Sequence, residues 1–112
     1  MDFELKRIVL FTLRMPQMAA FYRDVLGLRQ IADDPGWKEF AAGGCNVALH
    51  NGTSEVGGRP PKMSFYASNV AAARELLIKR GAKMGKVRSG AGIDLCEGKD
   101  PDGNPFQLSS RK

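Results

Sequence analysis

Hydrophobic and polar positions change their spacing along the chain in an order that occurs twice. Residues 6–13 predict a strand, and an amphipathic helix follows it. The apolar stripe of this helix, at the i, i+3, i+4 and i+7 positions, is Met18, Phe21, Tyr22 and Val25. Residues 62–67 predict another strand, and residues 70–80 a second helix with its own apolar stripe. One strand-helix plan therefore recurs in the second half of the chain.

Residues that commonly begin and end helices flank both predicted helices. Pro16 lies near the start of the first helix and Gly27 at its end. Ser68 and Asn69 precede the second helix as suitable N-cap residues, and Gly81 follows it. These residues support the helix boundaries that the apolar stripes predict.

Each predicted helix is followed by three short strand candidates separated by turn residues. In the first half these candidates are residues 28–32, 37–42 and 46–51. In the second half they are residues 83–88, 93–97 and 105–109. Residues 89–92 predict a turn, and residues 100–104 combine Asp, Pro, Gly and Asn, which each favour tight turns. The order βαβββ-βαβββ predicts an α+β fold.

Length and the distribution of Gly and Pro predict the domain organisation. A chain of 112 residues forms one domain, because it can bury one modest core but not two independent ones. Module one spans about residues 5–51, and module two about residues 62–110. The residues from about 52 to 61, rich in Gly and Pro, form the predicted linker between them.

Composition argues against several classes of function. No apolar stretch is long enough to span a bilayer, and the charged N-terminus lacks a signal-peptide segment, so we expect a cytoplasmic protein without membrane partners. The net charge is +5, but the basic residues are scattered, so we expect no nucleic-acid partner. Cys45 and Cys96 lack zinc-site spacing and are predicted to be free thiols.

Three segments carry a resemblance to a known family: residues 21–28, the helix ending at Gly81, and residues 100–108. In this combination the chain resembles the vicinal oxygen chelate superfamily, which includes glyoxalase I, extradiol dioxygenases and bleomycin-resistance proteins. The resemblance implies two βαβββ modules that form a curved, incompletely closed mixed sheet around a cavity, with the helices on the outer face. It also implies a homodimer, since the partner chain completes the cavity in many members.

Metal-using members of the superfamily hold the ion at one inward-facing position on the first and fourth strands of each module. The resemblance places Arg7, Ala48, Lys62 and Gln107 at these positions. Gln107 alone has the chemistry of a metal ligand there. Arg7 and Lys62 are cations near neutral pH, and Ala48 has no donor atom. We therefore expect no metal ion and no other cofactor.

Strand alternation places further side chains on the same faces. If Arg7 faces the cavity, so does Phe11, and if Lys62 faces it, so does Ser64. Trp37 begins a strand and is the best aromatic candidate for a wall of the cavity. The predicted ligand-binding residues are Arg7, Trp37, His50, Lys62, Ser64 and Gln107.

Fixed positive charge beside an apolar pocket suits an anionic ligand such as a carboxylate or a phosphate. In an alternative interpretation, Arg7 and Lys62 pair inside the protein, because buried cations are rarely left unpaired. Candidate carboxylates for such pairs are Glu39, Asp94 and Glu97. The sequence leaves both interpretations open.

Three functions remain from these observations. The first is a metal-independent protein that binds a small molecule, resembling bleomycin-resistance proteins. The alternative is a glyoxalase-like lyase or isomerase with a non-standard site, in which His50, the only histidine, is the candidate general base. The third is a protein-interaction module whose cavity is filled by its own side chains.

Overall fold

The computed structural model describes residues 1–2, 4–55 and 57–112. The chain divides into two compact units, Met1–Glu55 and Val56–Lys112, and each unit carries one βαβββ module. The predicted α+β class and the repeated module are confirmed. In the described residues, the backbone hydrogen bonds between strands form two open four-stranded sheets, one in each unit.

The first unit contains one helical stretch and four strands. Its elements are β1 (Arg7–Thr12), α1 (Met15–Ala20), a π-helical segment (Phe21–Val25), β2 (Arg29–Asp34), β3 (Trp37–Ala41) and β4 (Asn46–Asn51). The strand order is β1-β4-β3-β2, in which β1 runs parallel to β4 and the remaining neighbours are antiparallel. The strands β1 and β4, which are distant in sequence, therefore lie side by side.

The first helix begins and ends as the sequence predicts, but its last turn is wider than an α-helix. Pro16 occupies the first turn, where its missing N–H has no helical partner to lose. The Leu26 N–H donates to the Phe21 carbonyl over 3.0 Å, the five-residue spacing of a π-helix. Gly27, with a φ of 72°, then ends the stretch. The predicted stripe residues Met18, Phe21 and Tyr22 are buried.

The second unit repeats the same topology. Its elements are β5 (Met63–Tyr66), α2 (Val70–Lys79), β6 (Arg88–Gly90), β7 (Ile93–Lys99) and β8 (Pro105–Ser109). The strand order is β5-β8-β7-β6, again with one parallel pair, β5 and β8. The Asn69 side chain accepts a hydrogen bond from the Ala72 N–H over 3.0 Å and caps α2, as the sequence predicts. In the described residues, no helix is long and apolar enough to cross a membrane.

The predicted strand at residues 83–88 is wrong. Only Arg88 belongs to β6, and Met84 forms an isolated bridge with Gly98. The Gly85 carbonyl accepts hydrogen bonds from Arg74 Nε over 2.7 Å and from the Cys96 thiol over 3.3 Å. The Gly85 N–H donates to the Glu97 carbonyl over 2.8 Å, so the segment meets β7 at Met84 and Gly85 without forming a continuous ladder. Ser89 and Gly90, predicted as part of the turn at residues 89–92, instead belong to β6, so the turn is shorter than predicted.

One face of each sheet is covered by a helix. In the first unit α1 packs against β4, and in the second α2 packs against β7 and β8. On β8 the side chains of Phe106 and Leu108 are buried, whereas Gln107 between them is half-buried. This alternation is the one that the sequence predicts, and it places Gln107 on the face away from the buried core.

Candidate ligand-binding site

In the first unit, Arg7 pairs with a carboxylate of the same sheet. Arg7 Nε donates to Glu39 Oε2 over 2.9 Å, and Asn46 Nδ2 donates to the same oxygen over 2.8 Å. The Glu39 side chain is 8% exposed, compared with 44% for Arg7. The hydrogen bonds from Asn46 and Arg7 lower the pKa of Glu39 below its usual range. Glu39 is therefore ionised at neutral pH and balances the charge of Arg7.

A row of aromatic rings crosses this sheet four residues beyond the Arg7–Asn46 pair. His50 on β4 is directly opposite Phe11 on β1 and Trp37 on β3. The His50 ring centroid lies 5.3 Å from that of Phe11 and 5.7 Å from that of Trp37, both edge-to-face. Among the described residues, the His50 side chain has no hydrogen-bond partner. No hydrogen bond from the described residues therefore orients it as a general base.

In the second unit, Lys62 pairs with Glu97 in the equivalent way but more loosely. The Lys62 Nζ to Glu97 Oε1 distance is 3.5 Å, and the two side chains are 38% and 60% exposed. In the repeat, Pro105 stands where the first unit has Asn46, so the Glu97 carboxylate lacks the second partner that Asn46 provides for Glu39. This is an ordinary exposed ion pair.

Ser64 and Gln107 lie together on the face of the second sheet away from α2. They are directly opposite each other in the β5–β8 pair, and Gln107 Nε2 donates to Ser64 Oγ over 3.0 Å. Both residues line a cavity of about 420 Å³. The complete lining is Ser64, Gly90, Ile93, Leu95, Gln107, Ser109, Arg111 and Lys112. Lys62 is not part of this lining.

Arg111 and Lys112 contribute the positive charge of the cavity, and sequence reasoning missed both. Their position is set by the two serines before them. The Asp94 N–H donates to Ser110 Oγ over 2.9 Å, and the Arg111 N–H donates to Ser109 Oγ over 3.1 Å. These bonds tie the segment after β8 to the sheet. The available signal was the pair of cations directly after the last predicted strand.

A second, smaller cavity adjoins the first. Its volume is about 210 Å³, and its lining is Gly85, Lys86, Arg88, Leu95 and Glu97. Leu95 lines both cavities. In the described part of the chain, neither Lys86 nor Arg88 forms an ion pair.

The four positions that hold a metal ion in metal-using members of the superfamily that the sequence resembles do not fit a metal ion here. Arg7 and Lys62 are engaged in ion pairs, and Ala48 is fully buried without a donor atom. Gln107 is the one neutral donor of the four. Across residues 1–2, 4–55 and 57–112, no cluster of three or more His, Cys, Asp or Glu side chains is placed to hold an ion.

The six predicted ligand-binding residues fall into two groups, one in each unit. Arg7, Trp37 and His50 belong to the first unit. Lys62, Ser64 and Gln107 belong to the second, where Ser64 and Gln107 share a cavity. What these residues bind stays a prediction.

Comparison with known proteins identifies the family. The model of the glyoxalase-like domain matches residues 7–109. Among proteins with curated descriptions, none matches the sequence. A glyoxalase/bleomycin resistance protein/dioxygenase from Nocardioides is 18% identical over 97% of this chain and 83% of its own, with a TM-score of 0.82. These values describe a shared fold.

Two further solved structures have the same fold. Lactoylglutathione lyase from Agrobacterium tumefaciens is 18% identical over 96% of this chain and 93% of its own, with a TM-score of 0.77. TnmS3, an antibiotic binding protein from Streptomyces sp. CB03234, is 20% identical over 96% and 94%, with a TM-score of 0.77. The matched family model and the repeated βαβββ module together show that the chain belongs to the glyoxalase-like domain family of the vicinal oxygen chelate superfamily.

Proposed function

We propose that this protein binds a small anionic molecule without a metal ion, in the cavity of about 420 Å³ on the second sheet. The observation that carries the proposal is the pairing of Arg111 and Lys112 with neutral hydrogen-bonding groups in one lining. No Asp or Glu side chain belongs to that lining. The side chains of the lining therefore carry a net positive charge that a ligand can neutralise.

The chemistry of the lining suits a carboxylate or a phosphate. Arg111 offers a planar fork of donors and Lys112 a compact point charge, and both bind oxyanions. Ser64 adds a hydroxyl group beside the Gln107 amide. Ile93 and Leu95 supply apolar surface for the rest of the ligand. The volume lies in the range of small-molecule sites.

Binding without chemical conversion is the function that this lining supports. Its titratable side chains, Arg111 and Lys112, are cations near neutral pH and are poor general bases. One structure of the same fold, TnmS3, is described as an antibiotic binding protein, which gives a precedent for a binding role. The glyoxalase-like lyase alternative requires a general base, and its candidate, His50, has no hydrogen-bond partner among the described residues.

We further propose that the protein acts as a cytoplasmic homodimer. Exposed apolar side chains on the sheet of the first unit support the dimer, because Val9, Phe11 and Ile31 remain 38%, 49% and 44% exposed. Light scattering at several protein concentrations tests the oligomeric state. A monomer at all concentrations would contradict the dimer without affecting the cavity.

Calorimetric titration with short-chain carboxylates and inorganic phosphate tests the binding function. We expect binding in the presence of EDTA, and a large loss of affinity in the Arg111→Gln/Lys112→Gln double variant. The matched control is Arg59→Gln/Lys79→Gln, which removes the same two charges from exposed positions outside the cavity. Unchanged affinity in the first variant, or no binding of any anion by the wild type, would refute the proposal.

A further inference from the structure

We propose that the ligand carries two anionic groups, one held by Arg111 and Lys112 and the other by Lys86 and Arg88. This inference rests on the proposed function and specifies its ligand class. The two cavities of the second sheet each contain two cations, and they share Leu95. One molecule with acidic groups at both ends fits this arrangement.

Strand register shows how close the two cavities are. Leu95 on β7 lies directly opposite Ser109 on one side and opposite Arg88 on the other. Directly opposed residues project from the same face of a sheet. Since neighbouring strands are about 4.8 Å apart, the Ser109 and Arg88 backbones are separated by about 10 Å. The apolar Leu95 side chain lies between them, where a hydrocarbon segment of a ligand would pack.

The charges of the smaller cavity are not explained by pairing within the protein. Its single carboxylate, Glu97, already has Lys62 as its partner at 3.5 Å. Lys86 and Arg88 have no ion-pair partner among the described residues. The smaller cavity therefore retains a net positive charge, as the larger one does.

Comparison of the two modules shows that the fold does not require a cation at the position of Arg88. Trp37 is opposite His50 and Asp34 in the first sheet, just as Leu95 is opposite Ser109 and Arg88 in the second. The counterpart of Arg88 is therefore Asp34, of opposite charge.

The cations after β8 show the same difference. Arg111 and Lys112 follow Ser109 by two and three residues, and Gly52 and Thr53 follow His50 in the same way. Cations at the positions of Arg88, Arg111 and Lys112 are thus specific to the second sheet, which supports a role in recognition.

Two matched pairs of probes test the second anionic group: suberate against octanoate, and 1,6-hexanediol bisphosphate against hexyl phosphate. The two members of each pair have nearly equal lengths but different numbers of acidic ends. We expect the doubly acidic probe of at least one pair to bind about tenfold more tightly than its singly acidic partner, as one added charge-assisted contact implies. The pair that shows this difference identifies the acid as carboxylate or phosphate.

Two double variants separate the subsites. Lys86→Gln/Arg88→Gln should reduce the affinity of the doubly acidic probe to that of its partner, whose own affinity stays unchanged. Arg111→Gln/Lys112→Gln should weaken both, and Arg59→Gln/Lys79→Gln should change neither. Melting temperatures without ligand establish that each variant is folded.

The outcomes distinguish the two proposals. If singly acidic probes bind and the doubly acidic ones gain nothing, or if Lys86→Gln/Arg88→Gln leaves their affinity intact, the second subsite is refuted and the proposed function stands. If no probe binds the wild type, the proposed function itself is refuted.

Discussion

Glu39 and Glu97 occupy equivalent places in the two modules, yet Glu39 is enclosed and Glu97 is not. Glu39 lies directly opposite Ala48, and Glu97 directly opposite Gln107. Each pairs with a cation from the first strand region of its own module, at 2.9 Å for Glu39 and 3.5 Å for Glu97. The added hydrogen bond from Asn46 accounts for part of the difference.

Glu39→Gln should remove a pH-dependent part of the stability. The pKa of Glu39 in the folded protein is lowered from its usual value of 4.5, so its stabilising contribution is present above that pH. It is lost as the pH falls below 4.5 toward the folded pKa. Urea unfolding midpoints should therefore differ between wild type and variant at pH 7 and converge in more acidic buffers.

Glu97→Gln provides the matched control for this experiment. Its carboxylate is exposed and its ion pair is loose, so the midpoint should change little at any pH. Equal effects of the two substitutions at pH 7 would show that the enclosure of Glu39 does not determine its contribution.

Gly98→Ala should destabilise the second unit by about 1–3 kcal/mol, the usual range for overpacking a core. A Cβ atom at this position would lie 2.6 Å from Met84 Sδ and 2.8 Å from Phe106 Cζ. Urea unfolding measures the effect. Gly44→Ala is the control, because a Cβ atom there meets nothing within 4 Å. If Gly98→Ala leaves the free energy of unfolding unchanged, Met84 and Phe106 must shift at little cost.

Asp100→Ala should destabilise the hairpin between β7 and β8 by about 1–3 kcal/mol, the range for losing a buried hydrogen-bond acceptor. Asp100 Oδ1 accepts from the N–H groups of Asp102 and Asn104, each over 2.9 Å. Thermal unfolding tests this, with Asp34→Ala, an exposed aspartate beside another turn, as the comparison. Equal melting temperatures for the two variants would argue against a structural role for the Asp100 side chain.

The two cysteines should react at different rates with a thiol reagent such as Ellman's reagent. Cys96 is buried, and this burial raises the pKa of its thiol, so it should be modified only on unfolding. Cys45 is half-buried and should react in the native protein. The Cys45→Ser variant should then show no fast phase in native buffer. A remaining fast phase would place Cys96 within reach of solvent.

Local patterns predicted most of the fold because strand alternation has a strict period of two. Phe106 and Leu108 are buried and Gln107 is not, as the pattern of β8 requires. Residues 83–88 were mispredicted because the segment meets β7 at Met84 and Gly85 alone, while the Gly85 carbonyl bonds to Arg74 and Cys96, which are distant in sequence. Such tertiary contacts leave no periodic signal.

The candidate site was predicted only in part for a related reason. Ser64 and Gln107 follow from strand register, which is a local property. Arg111 and Lys112 lie beyond the last strand, where hydrogen bonds from the serines before them fix the chain. The pairing of Arg7 with Glu39, one of several carboxylates that the sequence offered, depends on a strand 32 residues away.

The opposite charges of Asp34 and Arg88 at equivalent positions have a consequence for how such a protein diversifies. Both residues lie on the sheet faces away from the helices, so neither is committed to the core. Substitutions at these two exposed positions can therefore change which molecules are bound while folding is preserved. A duplicated module of this kind is highly evolvable, because one copy can acquire substitutions that change what it binds while the sequence of the other copy stays the same.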